Sequence, residues 1–248
     1  MGRKIAAGNW KMNLTLAEAE SFISEFSTGD WPADVEVIFA VPFPYLISLN
    51  ALAGNRITIA AQNCSDQTEG AFTGEVSAKM LDSASITTVI IGHSERRMYY
   101  HETHEILKAK MDQALAFGLT PVFCCGEPLK VREAGTHRHL VSQQIEDSLF
   151  HLDSEAFRRL IIAYEPVWAI GTGVTASPEQ AQEMHAYIRG VVESKYGSSI
   201  AKHLPILYGG SVKANNAKML FAQEDVDGGL VGGASLITSE FLQITNSF

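Results

Sequence analysis

The chain is poor in several things, and each shortage excludes a class of protein. Across 248 residues no apolar run approaches the ~18 that a bilayer-spanning helix needs, so no membrane partner is expected. Met1-Gly2-Arg3-Lys4 leads into strand-type residues rather than an apolar leader, and Ala6 stands where a myristoylation signal wants Ser or Thr. Neither export nor lipid anchoring is expected, and the setting reads as cytoplasmic. Positive charge is scarce, with 19 Lys and Arg against 28 Asp and Glu and a net charge of −9, which argues against nucleic acid as a partner. Any anion this protein holds must be held locally. Cysteine is limited to Cys64, Cys124 and Cys125, an odd count with one adjacent pair that offers neither a disulfide framework nor a metal-ligand spacing. They read as buried, reduced thiols, the adjacent pair facing opposite sides of a strand. Linkers, low-complexity stretches and repeats are also missing, so residues 1–248 read as one domain.

What the chain does contain is a regular alternation. Short β-branched runs occur at Lys4 to Asn9, Val35 to Val41, Ile57 to Ala61, Thr87 to Ile91, Pro121 to Cys125, Leu160 to Tyr164, Pro205 to Tyr208 and Val226 to Val231. Between them lie helical spacings such as Leu16 to Phe26, Glu105 to Phe117, Leu140 to Leu152 and Pro178 to Tyr196. Thr103 caps one, and Ser177 with Pro178 opens another. Eight strand-helix units of this size predict a single (β/α)8 barrel, an α/β fold with a closed, parallel, eight-stranded sheet. A doubly wound open sheet is the structural alternative.

In such a barrel the reacting groups belong where strands end. The first strand finishes at Asn9-Trp10-Lys11, the third at Gln62-Asn63, the fourth at Gly92-His93-Ser94-Glu95 and the sixth at Tyr164-Glu165-Pro166. The seventh and eighth finish in Gly209-Gly210-Ser211 and Gly232-Gly233, where backbone N–H groups can approach an anion closely. This constellation suits a carbon acid beside a phosphate. Glu165 supplies a base, His93 a donor aimed at a developing enolate oxygen, and Lys11 a fixed positive charge. Pro166 to Gly173, rigid and aromatic in the middle with glycines at its end, has the make-up of a hinged lid that excludes water. A short helix expected from about Glu95 places its positive end at His93, which disfavours the imidazolium.

Three other readings compete. Gly171-Thr172-Gly173-Val174-Thr175-Ala176 formally matches a dinucleotide loop, but it does not directly follow the first strand of a βαβ unit. A metal-dependent aldolase-like barrel could use His101 with His104, or His137 with His139, yet no third ligand has suitable spacing. The third is a catalytically silent barrel that acts only as a binding module.

Five strings then carry a resemblance across the whole chain, in order: Asn9 to Asn13, Gly92 to Arg97, Ala163 to Gly173, Tyr208 to Val212 and Leu230 to Leu236. Together they resemble the triosephosphate isomerase family, itself a standard example of catalysis by a neutral histidine. The resemblance implies a cofactor-free, metal-free isomerase of glycolysis and gluconeogenesis that acts on triose phosphates. Glu165 would shuttle the proton, and neutral His93 would polarise the carbonyl. Lys11 and Asn9 would lie near the reacting oxygens, with Glu95 an auxiliary carboxylate beside Lys11. Backbone N–H groups of Gly171, Ser211, Gly232 and Gly233 would hold the phosphate, and Ile170 and Leu230 would clamp the base, raising its basicity by desolvation. The loop containing Thr73, Gly74 and Glu75 resembles the family's interdigitating dimer loop, which implies an isologous homodimer. Two departures stand out: Val174, where many relatives carry Lys, and Gly229, where a larger side chain is common. The second predicts lost packing and local softness from Gly228 to Leu230.

Overall fold

The computed structural model describes residues 2–170 and 175–248. Eight strands, β1 (Lys4–Asn9), β2 (Val35–Val41), β3 (Ile57–Ala61), β4 (Thr88–Ile91), β5 (Thr120–Glu127), β6 (Ile161–Pro166), β7 (Ile206–Tyr208) and β8 (Gly228–Val231), pair in parallel with their sequence neighbours. Pairing of Ile5 with Gly228 closes the sheet on itself. The fold is therefore the expected (β/α)8 barrel and not an open sheet. No helix among the described residues is long and apolar enough to cross a membrane.

Alternation along each strand divides the apolar residues into two layers. Ile5, Ala7, Ile38, Ala40, Ala60, Ile90, Val122, Cys124, Ile161, Ala163, Leu207 and Leu230 fill the barrel interior. Ala6, Val37, Phe39, Cys125, Ile162 and their neighbours pack outward against the helices. The adjacent cysteines accordingly lie in different layers, and all three thiols are free and buried. Burial pushes Cys64 up to about 12 and raises Cys124 and Cys125 further, so the neutral thiol is the resting form.

One aromatic cluster fixes how the ends of the chain meet. Trp10, just past β1, stacks edge-on against Phe22 at 5.0 Å, and Phe39 of β2 contacts Phe26 at 5.1 Å and Phe241 at 5.0 Å. Phe22 and Phe26 lie on the helix Leu16–Ser27, and Phe241 lies on the C-terminal helix Thr238–Thr245. The Trp10 indole also donates to the Ser235 carbonyl at 3.1 Å. First and last units are thereby locked together, which sets the loop after β1 beside the glycines after β8.

Most predicted elements coincide with observed ones, and the differences have local causes. Thr103 and Ser177 accept hydrogen bonds from Ile106 and Gln180 as N-caps. The helix expected at Leu140 begins at His137, because its first turn is polar and carries no side-chain cap for pattern reading to find. Strand β5 continues two residues past Cys125, held by Gln144, whose amide both accepts from Gly126 N–H at 2.8 Å and donates to Gly126 C=O at 2.9 Å. The packing expected to be missing at Gly229 is present. A Cβ there would come within 3.2 Å of the Phe221 ring, which occupies the space and stacks on Phe248 at 4.5 Å.

Gly228 has φ +142°, and a Cβ built on it collides with the Ile5 carbonyl across the closing strand pair. Gly228→Ala should cost at least about 2 kcal/mol through backbone strain and displacement of β1. Denaturant melts should show this as a lower midpoint; an unchanged midpoint would mean that closure tolerates a shifted strand.

Candidate active site

The loops that follow the strands enclose a cavity of about 770 Å³ lined by Asn9, Lys11, His93, Glu165, Ile170, Ser211, Leu230, Gly232 and Gly233, among others. All the expected catalytic and substrate-binding residues among the described ones line it except Glu95, whose carboxylate pairs with the Lys11 ammonium. Gly171 and Val174 lie outside the described residues.

Lys11 is held in an unusual conformation. Its φ of +52° is in the left-handed region, and three contacts fix it there. Its N–H donates to Asn9 Oδ1 at 3.0 Å, and its C=O accepts from Gln62 Nε2 at 2.9 Å. Its ammonium is 2.5 Å from Glu95 Oε1. Asn9 thus has a visible task in shaping the Lys11 backbone, as does Gln62, whose Nε2 also donates to Ala40 C=O at 2.9 Å.

His93 is the N-cap of the short helix Ser94–Tyr99, and its Nδ1 accepts the N–H of Glu95 at 3.2 Å. An acceptor at Nδ1 leaves Nε2 to carry the proton of the neutral ring. That Nε2 is 3.0 Å from Glu165 Oε1. Glu165, 2% exposed at the end of β6, also accepts from Ser94 N–H at 2.9 Å and from the Ser94 hydroxyl at 3.2 Å. Gly209 leaves room for this arrangement, since a Cβ there would come within 2.9 Å of Glu165 Cγ.

These contacts reverse an expectation. Burial by itself raises the Glu165 carboxyl, but the His93 and Ser94 contacts outweigh it and hold the group below its ordinary 4.5. Burial by itself lowers His93, but Glu165 and Glu95 outweigh it and raise the imidazole above its ordinary 6.5. The raised basicity expected of Glu165 and the lowered basicity expected of His93 therefore do not belong to this resting arrangement. Both follow once the two side chains part. The carboxylate then loses its donors and keeps its burial, while the imidazole keeps the Glu95 amide at Nδ1 and loses its nearest anion.

The first half of the segment expected to form a lid is anchored at its base. Val167–Ala169 forms a single tight turn after β6. The Trp168 indole donates to Glu127 Oε1 at 2.9 Å, as do Tyr164 Oη at 3.0 Å and Arg132 Nη1 at 3.1 Å. Glu127, fully buried, was missed by the strand-end reading because the fifth strand was expected to stop at Cys125. The signal was present: Glu127-Pro128 repeats Glu165-Pro166, and the two strands pair Gly126 with Glu165. Ser94 and Gln62 also shape the site, and nothing in their residue type marks them out.

A Cβ on Gly233 would meet no protein atom within 4 Å, and one on Gly232 only Lys11 Cε at 3.9 Å. Packing thus does not demand glycine at either position, and both face the cavity. Elsewhere, His101 is exposed and His104 Nδ1 is 3.4 Å from the Ser148 hydroxyl. Among the described residues no group of three or more His, Cys, Asp or Glu side chains is spaced to hold a metal.

The depressed Glu165 value adds stability that is complete above about pH 4.5 and lost as pH falls through the folded value. The raised His93 value adds stability that is complete below about pH 6.5 and lost as pH rises through the folded value. The stability difference between wild type and Glu165→Gln should therefore be most favourable to wild type between those two pH values and shrink on both sides. Thermal melts from pH 3 to 9 measure it, and a flat difference would remove the coupling.

Comparison with known proteins bears on this geometry. Residues 4–248 match the sequence profile of the family described as triosephosphate isomerase. The chain is 52% identical over 251 aligned positions to a triosephosphate isomerase of Cytophaga hutchinsonii, covering all of both chains. It is 53% identical to one from Porphyromonas gingivalis strain W83 and 51% identical to one from Bacteroides fragilis, again over the full length of both. With a closed eight-stranded barrel, that span of similarity and the strings that converge on one cavity, the chain belongs to the triosephosphate isomerase family.

Proposed function

We propose that this isomerase interconverts dihydroxyacetone phosphate and D-glyceraldehyde 3-phosphate through an enediolate, with Glu165 as the base and His93 as the electrophile. The observation that carries the assignment is the 3.0 Å contact between Glu165 and His93 Nε2 inside the cavity that Lys11 lines. That nitrogen carries the one proton the neutral ring can donate. A substrate carbonyl that takes this donor must displace the carboxylate, and displacement is what makes the carboxylate basic. Binding and activation of the base are then a single event. Ile170 and Leu230 line the cavity and keep water from the freed carboxylate.

The base takes a proton from the carbon beside the carbonyl, and negative charge moves to the carbonyl oxygen. His93 Nε2–H and the Lys11 ammonium stabilise that charge. Glu165 returns the proton to the neighbouring carbon. Asn9 and Glu95 hold Lys11 in place for this, the first through its backbone and the second through its ammonium. The phosphate is held by backbone N–H groups of Ser211, Gly232 and Gly233, and of Gly171 from the lid. A proton transfer of this kind requires no metal or redox cofactor.

The protein acts as a homodimer in the cytoplasm, in glycolysis and gluconeogenesis. The segment with Thr73, Gly74 and Glu75 is exposed, with Phe72 47% exposed within it. Met12, directly after Lys11, is 95% exposed. Apolar side chains presented in this way on two loops favour a partner surface, and a second copy would steady the segment that carries Lys11. The buried, unpaired thiols suit a reducing compartment.

A coupled assay with glyceraldehyde 3-phosphate, chelator present and no cofactor added, should show turnover in the wild type. Glu165→Gln should lower kcat by about 10²- to 10⁴-fold, the range for loss of a general base. Near-native turnover would take Glu165 out of the mechanism. Sedimentation should give a dimer whose activity falls on dilution into monomer; a fully active monomer at nanomolar concentration would overturn the dimer assignment.

A further inference from the structure

A dianionic substrate must approach through the field of a chain whose formal charge is −9, and that field repels it at long range. Arrival therefore depends on cations near the cavity mouth. Lys11 and Lys213 are the only Lys or Arg residues among the described residues that line the cavity. They differ in what they offer. The Lys11 ammonium is paired with Glu95 at 2.5 Å, so from outside the two charges nearly cancel. Lys213 is exposed and has no ion pair among the described residues.

Its position is fixed by the fold. Lys213 stands two residues past Ser211, at the N-cap of the helix Ala214–Phe221. Its N–H donates to Asn216 Oδ1 at 2.8 Å, and Asn216 Nδ2 donates to Ser211 C=O at 3.1 Å, which ties the cation's backbone to the proposed phosphate loop. One charge opposes it. Glu240 lines the same cavity, and its Oε1 accepts the N–H of Ala214 at 2.9 Å. That bond also occupies a donor at the helix start, so the side chain of Lys213, not the helix end, is the available positive group.

We propose that Lys213 is a capture residue for the substrate's phosphate, the unpaired cation that draws the dianion toward Ser211, Gly232 and Gly233 against the opposing charge of Glu240. The proposal rests on the triose phosphate reading above. Lys213 takes no part in the proton transfer; it raises the frequency of productive encounters and favours phosphorylated trioses over uncharged ones. Its influence reaches ~30 Å at 0.01 M salt and only ~8 Å at 0.15 M.

The test compares wild type, Lys213→Gln, Lys213→Arg and Glu240→Gln at about 10 mM and about 300 mM ionic strength. With glyceraldehyde 3-phosphate at low salt, Lys213→Gln should lower kcat/KM about three- to tenfold at unchanged kcat, and the gap should close to under about twofold at high salt. Lys213→Arg should restore the rate. Glu240→Gln, which keeps an acceptor for Ala214 N–H, should raise kcat/KM at low salt. Slow turnover of unphosphorylated D-glyceraldehyde should be equal in wild type and Lys213→Gln. An unchanged kcat/KM at low salt, a loss that salt does not diminish, or an equal loss with D-glyceraldehyde would each overturn the proposal. A wild type inactive on glyceraldehyde 3-phosphate would instead defeat the isomerase reading on which it rests.

Discussion

Parallel closure of the sheet is the constraint from which the rest of this structure follows. Because all eight strands run the same way, every loop that follows a strand emerges at one end of the barrel. Residues separated by most of the chain, such as Lys11 and Gly232, become neighbours there without any special contact between them. The closing pair of β1 with β8 has little tolerance, since β8 is four residues long and begins at a glycine pressed against the Ile5 carbonyl. Outside the sheet, the aromatic contacts of Trp10, Phe22, Phe26, Phe39 and Phe241 brace the same seam. Stability and site geometry thus share one set of contacts.

Within that frame the site is organised around a single proton donor. His93 Nε2 serves Glu165 in the resting arrangement, and Ser94 adds two more donors to the same carboxylate. Burial makes the exchange of partners consequential. In water a carboxylate that loses three hydrogen bonds regains them from solvent, whereas one buried at the end of β6 cannot, so its affinity for a proton rises. The short helix behind His93 sets which ring nitrogen carries the proton, through the Glu95 amide at Nδ1. Lys11 and Glu95 add fixed charge nearby without adding much net charge.

The turn that follows β6 depends on the opposite use of a carboxylate. Glu127 gathers Tyr164, Trp168 and Arg132 about one oxygen and stays where it is, because β5 is pinned by Gln144 on both sides of Gly126. Two Glu-Pro pairs at the ends of adjacent strands therefore do different work. One carboxylate is surrounded by donors fixed in the frame, and the other takes a donor, His93 Nε2–H, that the proposed substrate would compete for.

Much of this was legible in the order of residues. Strand-type runs alternating with capped helical stretches gave eight units, and polar residues at the run ends marked Asn9, Lys11, His93 and Glu165, because alternation, capping and turn chemistry are local properties of the backbone. Other features were not local. The Glu165 carboxyl lies lower at rest, and the His93 imidazole higher, than residue type and position suggested, because both values depend on a 3.0 Å contact between the end of β6 and the residue that caps the helix after β4. The space above Gly229 is filled by Phe221, and Ser94, Gln62 and Glu127 acquire their tasks only from neighbours that the barrel brings to them. The sequence by itself determined the elements and the chemical types at their ends; the tertiary structure alone decided which donor meets which acceptor, since hydrogen bonds and charge interactions act over a few ångströms of space whatever the distance along the chain.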